Sequence, residues 1–564
     1  MYTIQSGGTQ CVVTAKGPAT HRVHLVGPHP ILQHFLDRMN FHRTVNSCLA
    51  SPGRMTLNHA QTLAIFTQNI ILSPAPLYRV AEWARPIDPA ALGLSASEKG
   101  ALNDDRIARS LDALVSPQAR TFFFQLALQV IKQFELDTQR IHNDTTTVTF
   151  HGKYKGSIRE PQIVPGHNKD HRPDLKQLVF GLNVTADGAV PISHDVYSGN
   201  RTDDTIHQSN VDRLRQILGR TDFTYVADCK VCTRKNLSHI AQYGGRFVTV
   251  IPRTYADDKR FRKKLRDGDP VRWRRLVEIE DPRDPGGPPI VYYTTADGPS
   301  TTREGYRIIW IRSSQKKEHD AEAREANLKR TEVALDALDA RLNRGKLRSR
   351  GPISKKVKEI LRAQKVEDFI KVRIASKTHI QLKRLRSGRP RKDAPVKEIR
   401  TRVYHLEVGR NKQALLAEAR TDGVFPLLSN LEPKKASKKE ILLIYKYQPY
   451  VEKRHALFKS ELEVAPVYLK KPRRAAGLVH CGFLAMSLDA LIERTLRRNM
   501  KREGIEAVPI LPEGRMSKTP TTARLLEMFS NVSWYEFEQG GETVTFPIDL
   551  STLQQQLLRL LDMN

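Results

Sequence analysis

One acidic residue, Glu452, stands among aromatic and basic residues in the segment IYKYQPYVEKRHALFK, residues 444–459. Four residues of this segment are spaced by 3, 4 and 7 positions: Tyr445, Gln448, Glu452 and Lys459. In a helix, where each residue advances by about 100°, this spacing places all four on one face. A carboxylate beside cationic and phenolic groups is suited to metal-assisted phosphodiester chemistry on a polyanion. The segment therefore predicts one wall of such a site.

Two aspartates occupy positions that could complete it. Asp144 begins a β-branched stretch that predicts a strand, and Asp228 directly follows another predicted strand, residues 223–227. If the two strands are neighbours in one sheet, the carboxylates lie close together. Taken singly, an aspartate at a strand end can equally be a cap or turn residue.

Three carboxylates suit hard divalent cations. Oxygen ligands favour Mg²⁺ or Mn²⁺, and two such ions can activate a nucleophile and stabilise a leaving oxygen. The sequence has no HExxH motif, no GxSxG turn and no GxxxxGK[ST] loop. Cys229 and Cys232 form one CxxC pair without a second pair, which argues against structural zinc. We therefore expect Asp144, Asp228 and Glu452 to bind two Mg²⁺ or Mn²⁺ ions.

The elements that must position these acids alternate between strands and helices. Residues 145–150 and 178–192 predict three strands, and helix, strand, helix and strand follow up to residue 251. The order β-β-β-α-β-α-β predicts an α/β fold with a ribonuclease-H-like mixed sheet. Pro449 lacks an N–H and suits a first helical turn, which would leave Tyr445 and Gln448 just outside the Glu452 helix.

The 564 residues suggest several domains. We expect an amino-terminal helical domain, a first part of the core, a long insertion, a second part of the core with Glu452 and a carboxy-terminal segment that is a candidate for dimerisation. Their predicted bounds are residues 1–138, 139–251, 252–422, 423–500 and 501–564. Periodicity leaves open whether residues 56–83 form a helix-turn-helix that binds DNA or part of a plain helical bundle.

Charge points to a polyanionic partner. Lysine and arginine number 92 against 61 aspartates and glutamates, giving a formal net charge of +31. No uninterrupted apolar stretch of membrane-spanning length is apparent, and the basic residues are spread along the whole chain, which favours nucleic acid over a membrane surface. The first residues lack the pattern of a secretory signal, and five cysteines make no disulfide framework. We expect an intracellular, cytoplasmic protein.

Several motifs resemble one known family, the DDE transposases of bacterial insertion sequences. His142 to Thr146 resembles the family's first-aspartate strand, and Tyr225 to Asp228 its second. Tyr445, Glu452 and Lys459 fall at the spacing of the Tyr-x2-Arg-x3-Glu-x6-Lys signature of the insertion-sequence-four group. Residues 166–175 and 197–200 also resemble stretches of this group. The sequence departs from the signature at Gln448, where the family has arginine.

The resemblance implies roles for these residues. Asp144, Asp228 and Glu452 would bind the metals, Lys459 would contact a substrate phosphate and Tyr445 would pack near the distorted end of the element. Gln448 could still donate to a phosphate oxygen. Without the resemblance, Lys459 could equally be a solvated surface residue and Tyr445 a core aromatic. The family also implies a homodimer on paired DNA ends that bear terminal inverted repeats, a target DNA, and a location at the bacterial nucleoid.

Two basic segments outside this constellation are candidates for further DNA contacts. Arg389 lies in a Gly-Arg-Pro sequence that could enter a narrow minor groove, although the sequence favours a solvated basic linker, which would still add salt-dependent affinity for phosphates. The second segment, soon after Lys459, could follow the substrate backbone or be a soluble turn; its basic residues are Lys470, Lys471, Arg473 and Arg474.

The leading function is thus a DNA transposase that cleaves element ends and transfers the freed 3′-hydroxyl to target DNA. Two alternatives stay open: a ribonuclease-H-like nuclease that cuts without joining, and a non-catalytic basic DNA-binding protein derived from a transposase.

Overall fold

The computed structural model describes residues 2–6, 9–13, 19–51, 53, 55–152, 154, 161–169, 172, 174–202, 205–281, 286–384, 396–461, 469, 471–539 and 542–563. The chain divides into two compact units, Met1–Thr249 with Leu442–Asn564, and Val250–Ile441. The first unit is therefore built from two separate stretches of sequence.

The first unit starts with three strands: β1 Tyr2–Ser6, β2 Thr9–Val13 and β3 Ala19–Leu25. Helices follow: α1 His29–Arg38, α2 Phe41–Cys48, α3 His59–Leu72, α4 Val80–Ala84, α5 Ala96–Gly100, α6 Asp104–Ala113 and α7 Ala119–Gln133. A capping box begins α3, because the Asn58 side chain accepts from the Gln61 amide while the Gln61 side chain accepts from the Asn58 amide. The apolar periodicity that predicts helices in this region corresponds to α1, α3 and α7.

The core of the first unit follows the predicted order of elements. They are β4 Arg140–Phe150, β5 Lys176–Thr185, β6 Pro191–Ser198, α8 His207–Leu218, β7 Thr224–Val226, α9 Arg234–Ala241 and β8 Arg246–Val250. These strands lie in the order β6-β5-β4-β7-β8. The first three pair antiparallel, whereas β4, β7 and β8 pair parallel. The ribonuclease-H-like mixed sheet is confirmed.

The second unit combines helices with antiparallel strands. Its elements are α10 Ala256–Asp267, β9 Arg274–Ile279, β10 Ile290–Thr295, β11 Arg307–Ser313, α11 Ser314–Asp339, α12 Arg350–Ala363, β12 Ile370–Arg384, β13 Val396–Arg410, α13 Lys412–Ala419 and β14 Val424–Ser429. Strands β14, β11, β10 and β9 pair antiparallel in that order. The leucine stripe of α11 is buried, including Leu328, Leu335 and Leu338, and packs in a cluster with α12 and the start of β12.

The chain then returns to the first unit. The remaining elements are α14 Lys438–Tyr445, α15 Gln448–Ala456, a π-helical turn Leu457–Glu461, α16 Pro472–Arg502, α17 Thr522–Glu527, β15 Ser533–Gln539, β16 Glu542–Phe546 and α18 Thr552–Leu560. Strand β15 pairs antiparallel with β3, from Ser533 opposite Leu25 to Gln539 opposite Ala19. The carboxy-terminal segment therefore completes a small sheet with the amino-terminal region.

Helix α16 corrects one expectation from the sequence. Within the described ranges, this one helix is long and apolar enough to cross a membrane, although no such stretch was predicted. Its apolar window is 89% buried, and it packs against α3, α6 and β6. A Cβ at Gly477 would lie 2.3 Å from the carbonyl oxygen of Leu111, so glycine permits the close approach to α6. In this fold α16 is the central core helix of the first unit.

Candidate active site

Strands β4 and β7 bring the two aspartates to one edge of the sheet. Their parallel register pairs Ile141 with Tyr225 and His142 with Val226, a constant offset of 84 positions. Asp144 and Asp228 are separated by the same offset, so they lie at matching positions along two neighbouring chains. The strand pairing ends at His142 and Val226, and continuing its register by two residues would bring the half-buried Asp144 and Asp228 to neighbouring positions about 4.8 Å apart.

Cationic and imidazole groups surround Asp144. Its Oδ1 accepts from the Thr145 amide at 2.8 Å, and Lys169 Nζ lies 3.7 Å from the same oxygen. The ammonium is held in place because it also donates to the carbonyl and the hydroxyl of Thr145. On the other side, His455 Nε2 lies 3.8 Å from Oδ2. Burial, followed by the charges of Lys169 and Lys459, lowers the pKa of His455 to about 3, so this ring is neutral at pH 7.

Two glycines fix the loop that carries Lys169. A Cβ at Gly166 would lie 1.9 Å from the carbonyl oxygen of Gly199, and a Cβ at Gly199 would lie 2.1 Å from that of Gln177. The backbones approach so closely that a side chain at either position would force them apart. The two stretches singled out in the sequence, residues 166–175 and 197–200, therefore meet beside the aspartates. Asp170, His171 and Pro173 lie outside the described residues.

The segment around Glu452 is not one helix. Tyr445 is the last residue of α14, Gln448 and Glu452 lie on α15, and Lys459 lies in the π-helical turn. Pro449 stands in the first turn of α15, as its missing N–H favours. The expectation that all four signature residues share one helical face is wrong, because a turn at residues 446–447 separates α14 from α15. Glu452 is exposed on α15, which packs against β4.

The pKa of the Tyr445 phenol responds to the charges of all three carboxylates. Burial raises the pKa of its phenol well above the ordinary value, and negative charges nearby raise it further. The carboxylates that contribute are those of Asp228, Glu452 and Asp144. All three acids therefore act on one phenol, which stays protonated at neutral pH and can serve as a hydrogen-bond donor among them.

Gln448 is placed differently from the prediction. Its side chain is 6% exposed, its Nε2 donates to the carbonyl of Asn143 at 2.7 Å, and its Oε1 accepts from His142 Nδ1 at 3.2 Å. The amide thus ties the first turn of α15 to strand β4, one residue before Asp144. A direct contact with a DNA phosphate is incompatible with this burial, so we assign Gln448 a positioning role instead.

Arg454 was missed by the sequence analysis. Its guanidinium is buried and bonds Asp489 Oδ2 at 2.7 Å and Glu493 Oε2 at 2.9 Å, both on α16. It also donates to the carbonyls of Gly188 and Ala189 in the turn between β5 and β6. This network holds α15, and with it Glu452, against the core. The signal was present, because two acids four positions apart in an apolar helix call for a buried cation.

The remaining predicted DNA contacts fall into two groups. Lys459 is half-buried near His455, whose pKa it lowers. Arg473 donates to the carbonyl of Asp112 at 2.9 Å, and Arg474 Nε lies 3.1 Å from the Asp112 carboxylate, so both arginines are engaged with α6. Lys471 is exposed at the start of α16. Lys470 and Arg389 lie outside the described residues.

The carboxylate oxygens of Asp144, Asp228 and Glu452 are of the type that hard cations prefer. They do not form a complete set of metal ligands in this structure. In the described part of the chain, no group of three or more His, Cys, Asp or Glu residues is close enough to hold a metal ion. Lys169 Nζ occupies the space beside Asp144. Asp144 and Asp228 would hold a cation between neighbouring strands, and Glu452 would join them from α15.

Comparisons with known proteins add little to this site. A protein-family model described as "Domain of unknown function (DUF4277)" matches residues 22–128, which cover β3 to α7 and none of the candidate site residues. A search among curated proteins finds no significant match.

Solved structures give low-scoring similarities. One is a cryo-EM structure of the piggyBac transposase synaptic complex with hairpin DNA, at a TM-score of 0.28 and 10% identity, covering 86% of this chain and 87% of that one. A second is the Mos1 transposase paired-end complex with left transposon end, at a TM-score of 0.15 and 11% identity, covering 37% of this chain and 62% of the Mos1 chain. Similarity at this level carries no argument about activity, which must be argued from the site.

Proposed function

We propose that this protein is a DNA transposase of the DDE type, with Asp144, Asp228 and Glu452 as its metal-binding carboxylates. The observation that carries the proposal is the offset of 84 positions that Asp144, on β4, and Asp228, two residues past the end of β7, share with the parallel residue pairs of these two neighbouring strands. The raised pKa of the Tyr445 phenol, to which the charges of Asp228, Glu452 and Asp144 contribute after burial, supports including Glu452 in the proposal.

The proposed chemistry is displacement at phosphorus. A water oxygen forms a bond to the phosphorus at the end of the element, the bond from phosphorus to the 3′ oxygen breaks, and that oxygen takes a proton to become a 3′-hydroxyl. The hydroxyl then attacks a phosphodiester of target DNA, where one P–O bond forms and one breaks. Two Mg²⁺ or Mn²⁺ ions, when bound, would supply activation of the nucleophile and stabilisation of the leaving oxygen.

The chain's own residues would do the rest. Lys169, whose Nζ lies 3.7 Å from Asp144, and Lys459, whose charge acts on the neighbouring His455, offer cationic donors that suit the non-bridging oxygens of a phosphate. Tyr445, kept protonated, is a neutral donor that can orient a phosphate oxygen without adding charge. The net charge of +31 gives the whole chain an affinity for DNA that falls with salt. We expect two copies to act on a pair of DNA ends.

The test uses purified protein and duplex DNA that carries the inverted repeats bracketing its gene. We expect cleavage and joined products with Mg²⁺ or Mn²⁺ and none with EDTA. Asp144→Asn, Asp228→Asn and Glu452→Gln should each lower the cleavage rate by about 10³-fold or more, since each tenfold step is about 1.4 kcal/mol and metal stabilisation supplies several. Glu82→Gln, the same chemical change at an exposed position of α4, is the matched control.

Three outcomes separate the alternatives. Undiminished cleavage by the Glu452→Gln variant overturns its assigned role. Cleaved ends that are never joined indicate a nuclease rather than a transposase. DNA binding without cleavage under either metal indicates a non-catalytic DNA-binding protein.

A further inference from the structure

The second unit carries a long two-stranded ribbon that the function proposed above does not use. Strands β12 and β13 pair antiparallel over fifteen register positions, from Ile370 opposite Arg410 to Arg384 opposite Val396. At roughly 3.4 Å per residue, this ribbon is about 50 Å long. Within the described ranges, β12 and β13 form a sheet of two strands only.

Only the base of the ribbon belongs to a core. Ile370 is buried, and Val372, Ile374 and Leu406 pack against the leucine cluster of α11 and α12. From Ser376 to Lys383 every residue of β12 is exposed. An isolated two-stranded ribbon with both faces in water buries too little apolar surface to be stable by itself. We call the outer part of the ribbon, residues 376–383 of β12 with residues 397–404 of β13, the arm.

The two faces of the arm differ in composition. Because residues directly opposite in an antiparallel pair lie on the same face and successive residues alternate, Val372, Ile374 and Leu406 define the face that packs at the base. The opposite face carries five basic side chains, Lys371, Arg373, Lys377, Lys383 and Lys397. The face that packs at the base also carries Arg400 and Arg402, together with the exposed apolar side chains Ile380 and Leu382. Glu407 is the one acidic residue on this basic face.

Among the residues that the structure describes, most of this charge is unpaired, although Arg373, Arg400 and Arg410 form ion pairs. The two strands contain nine Lys and Arg residues and two Glu residues. Glu407 pairs with Arg373 at 3.3 Å. Among the described residues, Lys377, Lys383 and Lys397 take part in no ion pair. Lys383 lies directly opposite Lys397, an arrangement of like charges that costs stability unless an anion lies between them.

We propose that the basic face of this ribbon is a DNA-binding arm that lies in the major groove of duplex DNA and contacts its phosphates. The inference rests on the proposed function in that the partner is DNA. The major groove, about 12 Å wide, admits a two-stranded β-ribbon, and cations at alternate positions meet the phosphates of its walls. Pairing with the ribbon of a second copy is disfavoured, because it would bring two positively charged arms together.

The test removes three arm charges. The variant Lys377→Gln/Lys383→Gln/Lys397→Gln is compared with Lys346→Gln/Lys355→Gln/Lys358→Gln, three exposed lysines of the same unit outside the ribbon. Binding to a duplex of arbitrary sequence is followed by fluorescence anisotropy without divalent metal, over a range of salt. Each lost phosphate contact lowers the slope of log K against log salt by about 0.9, so the arm variant should lose about 2.7 and the control close to none.

Groove placement is read separately. Dimethyl sulfate methylates guanine N7, an atom in the major groove, and we expect the wild-type protein to protect it and the arm variant to lose that protection. Equal salt slopes for the arm and control variants overturn the proposal. Unchanged N7 protection overturns groove placement. A dimer in sedimentation that only the arm variant disrupts assigns the ribbon to a second copy instead.

Failure here and failure of the proposed enzyme are distinguishable. The arm is measured without metal and without cleavage, whereas the enzyme is tested by product formation at saturating DNA. A protein that does not cleave DNA can still lose salt dependence when the arm charges are removed. A protein that cleaves DNA can show the same salt slope with and without these charges.

Discussion

At the scale of single residues, Gln448 shows how a departure from a family signature changes a role. The resemblance suggested a phosphate contact at this position. In the structure, its amide bridges His142 and Asn143, directly before Asp144. The residue therefore supports the strand that carries Asp144 and is buried instead of facing solvent.

Gln448→Ala tests this assignment. The substitution leaves the Asn143 carbonyl buried without its donor, which costs about 1–3 kcal/mol. We expect a lower free energy of unfolding in urea and a reduced cleavage rate, with DNA affinity measured without metal unchanged. Gln555→Ala, which removes an exposed amide on α18, should leave all three quantities nearly unaltered. A loss of DNA affinity with stability unchanged would instead support the phosphate contact predicted from the sequence.

The sequence could supply part of the site and not the rest. Asp144 and Asp228 were found because strand order alone sets which strands neighbour each other in this fold. Lys169 and His455 were not assigned roles, because their approach to Asp144 depends on a loop and a helix whose docking no local pattern specifies. The side chain of Gln448 turned inward because two buried groups of β4 needed partners.

At the scale of elements, the placement of Glu452 depends on how α15 is anchored. Arg454 lies two residues beyond it and joins α15 to two acids of α16 and to the turn between β5 and β6. Breaking such a buried pair leaves uncompensated charge, which costs more than the intact pair contributes.

Arg454→Met should therefore destabilise the protein by about 3–5 kcal/mol, since the buried Asp489 and Glu493 both lose the Arg454 guanidinium, while Glu493 keeps Arg497 at 3.3 Å. The measurement is the urea midpoint. Arg109→Met removes an exposed arginine paired with Asp105 and should hardly move it. Adding Asp489→Leu and Glu493→Leu to Arg454→Met should recover part of the loss. No recovery would mean that the network acts through shape rather than charge.

The β12–β13 ribbon was missed although its sequence carries a signal. Apolar residues alternate at Ile370, Val372 and Ile374 and again at Ile380 and Leu382, a period of two that predicts a strand. Many charged residues lie between these apolar ones, and they made the segment resemble a solvated linker. Conversely, the leucines that α11 buries recur at a helical period over several turns, which is a stronger signal in a sequence than a short alternation.

At the scale of the whole molecule, buried neutral histidines couple folding to pH. Burial is the main cause that lowers the pKa of His59, His142 and His480 to about 4 and of His455 to about 3. In the unfolded chain these groups bind a proton near pH 6.5, so the unfolded state holds more protons below that pH. Their contribution to stability is complete above pH 6.5 and is lost as the pH falls towards 4.

We therefore expect the free energy of unfolding to be nearly constant from pH 7 to 8 and to fall steadily between pH 6.5 and 4. Urea titrations at half-unit intervals would measure it. His59→Gln removes one of these groups, which bonds Ser110 in the helical region, and should make the decline shallower by about one proton. A stability that does not change between pH 7 and 4.5 would contradict the assignment of neutral buried rings.

The pairing of β3 with β15 sets a condition on how the chain folds as it is made. Residues 1–249 cannot complete their unit until residues 442–564 have left the ribosome, because α15, α16 and β15 supply its central helix and one of its sheets. At roughly 5–20 residues per second, synthesis of the intervening unit takes about 10–40 s. During that time the apolar surfaces that later pack against α16 are exposed and can bind chaperones. A product truncated within residues 250–441 contains Asp144 and Asp228 but lacks Glu452. Complete synthesis is thus a precondition for assembling the three acids.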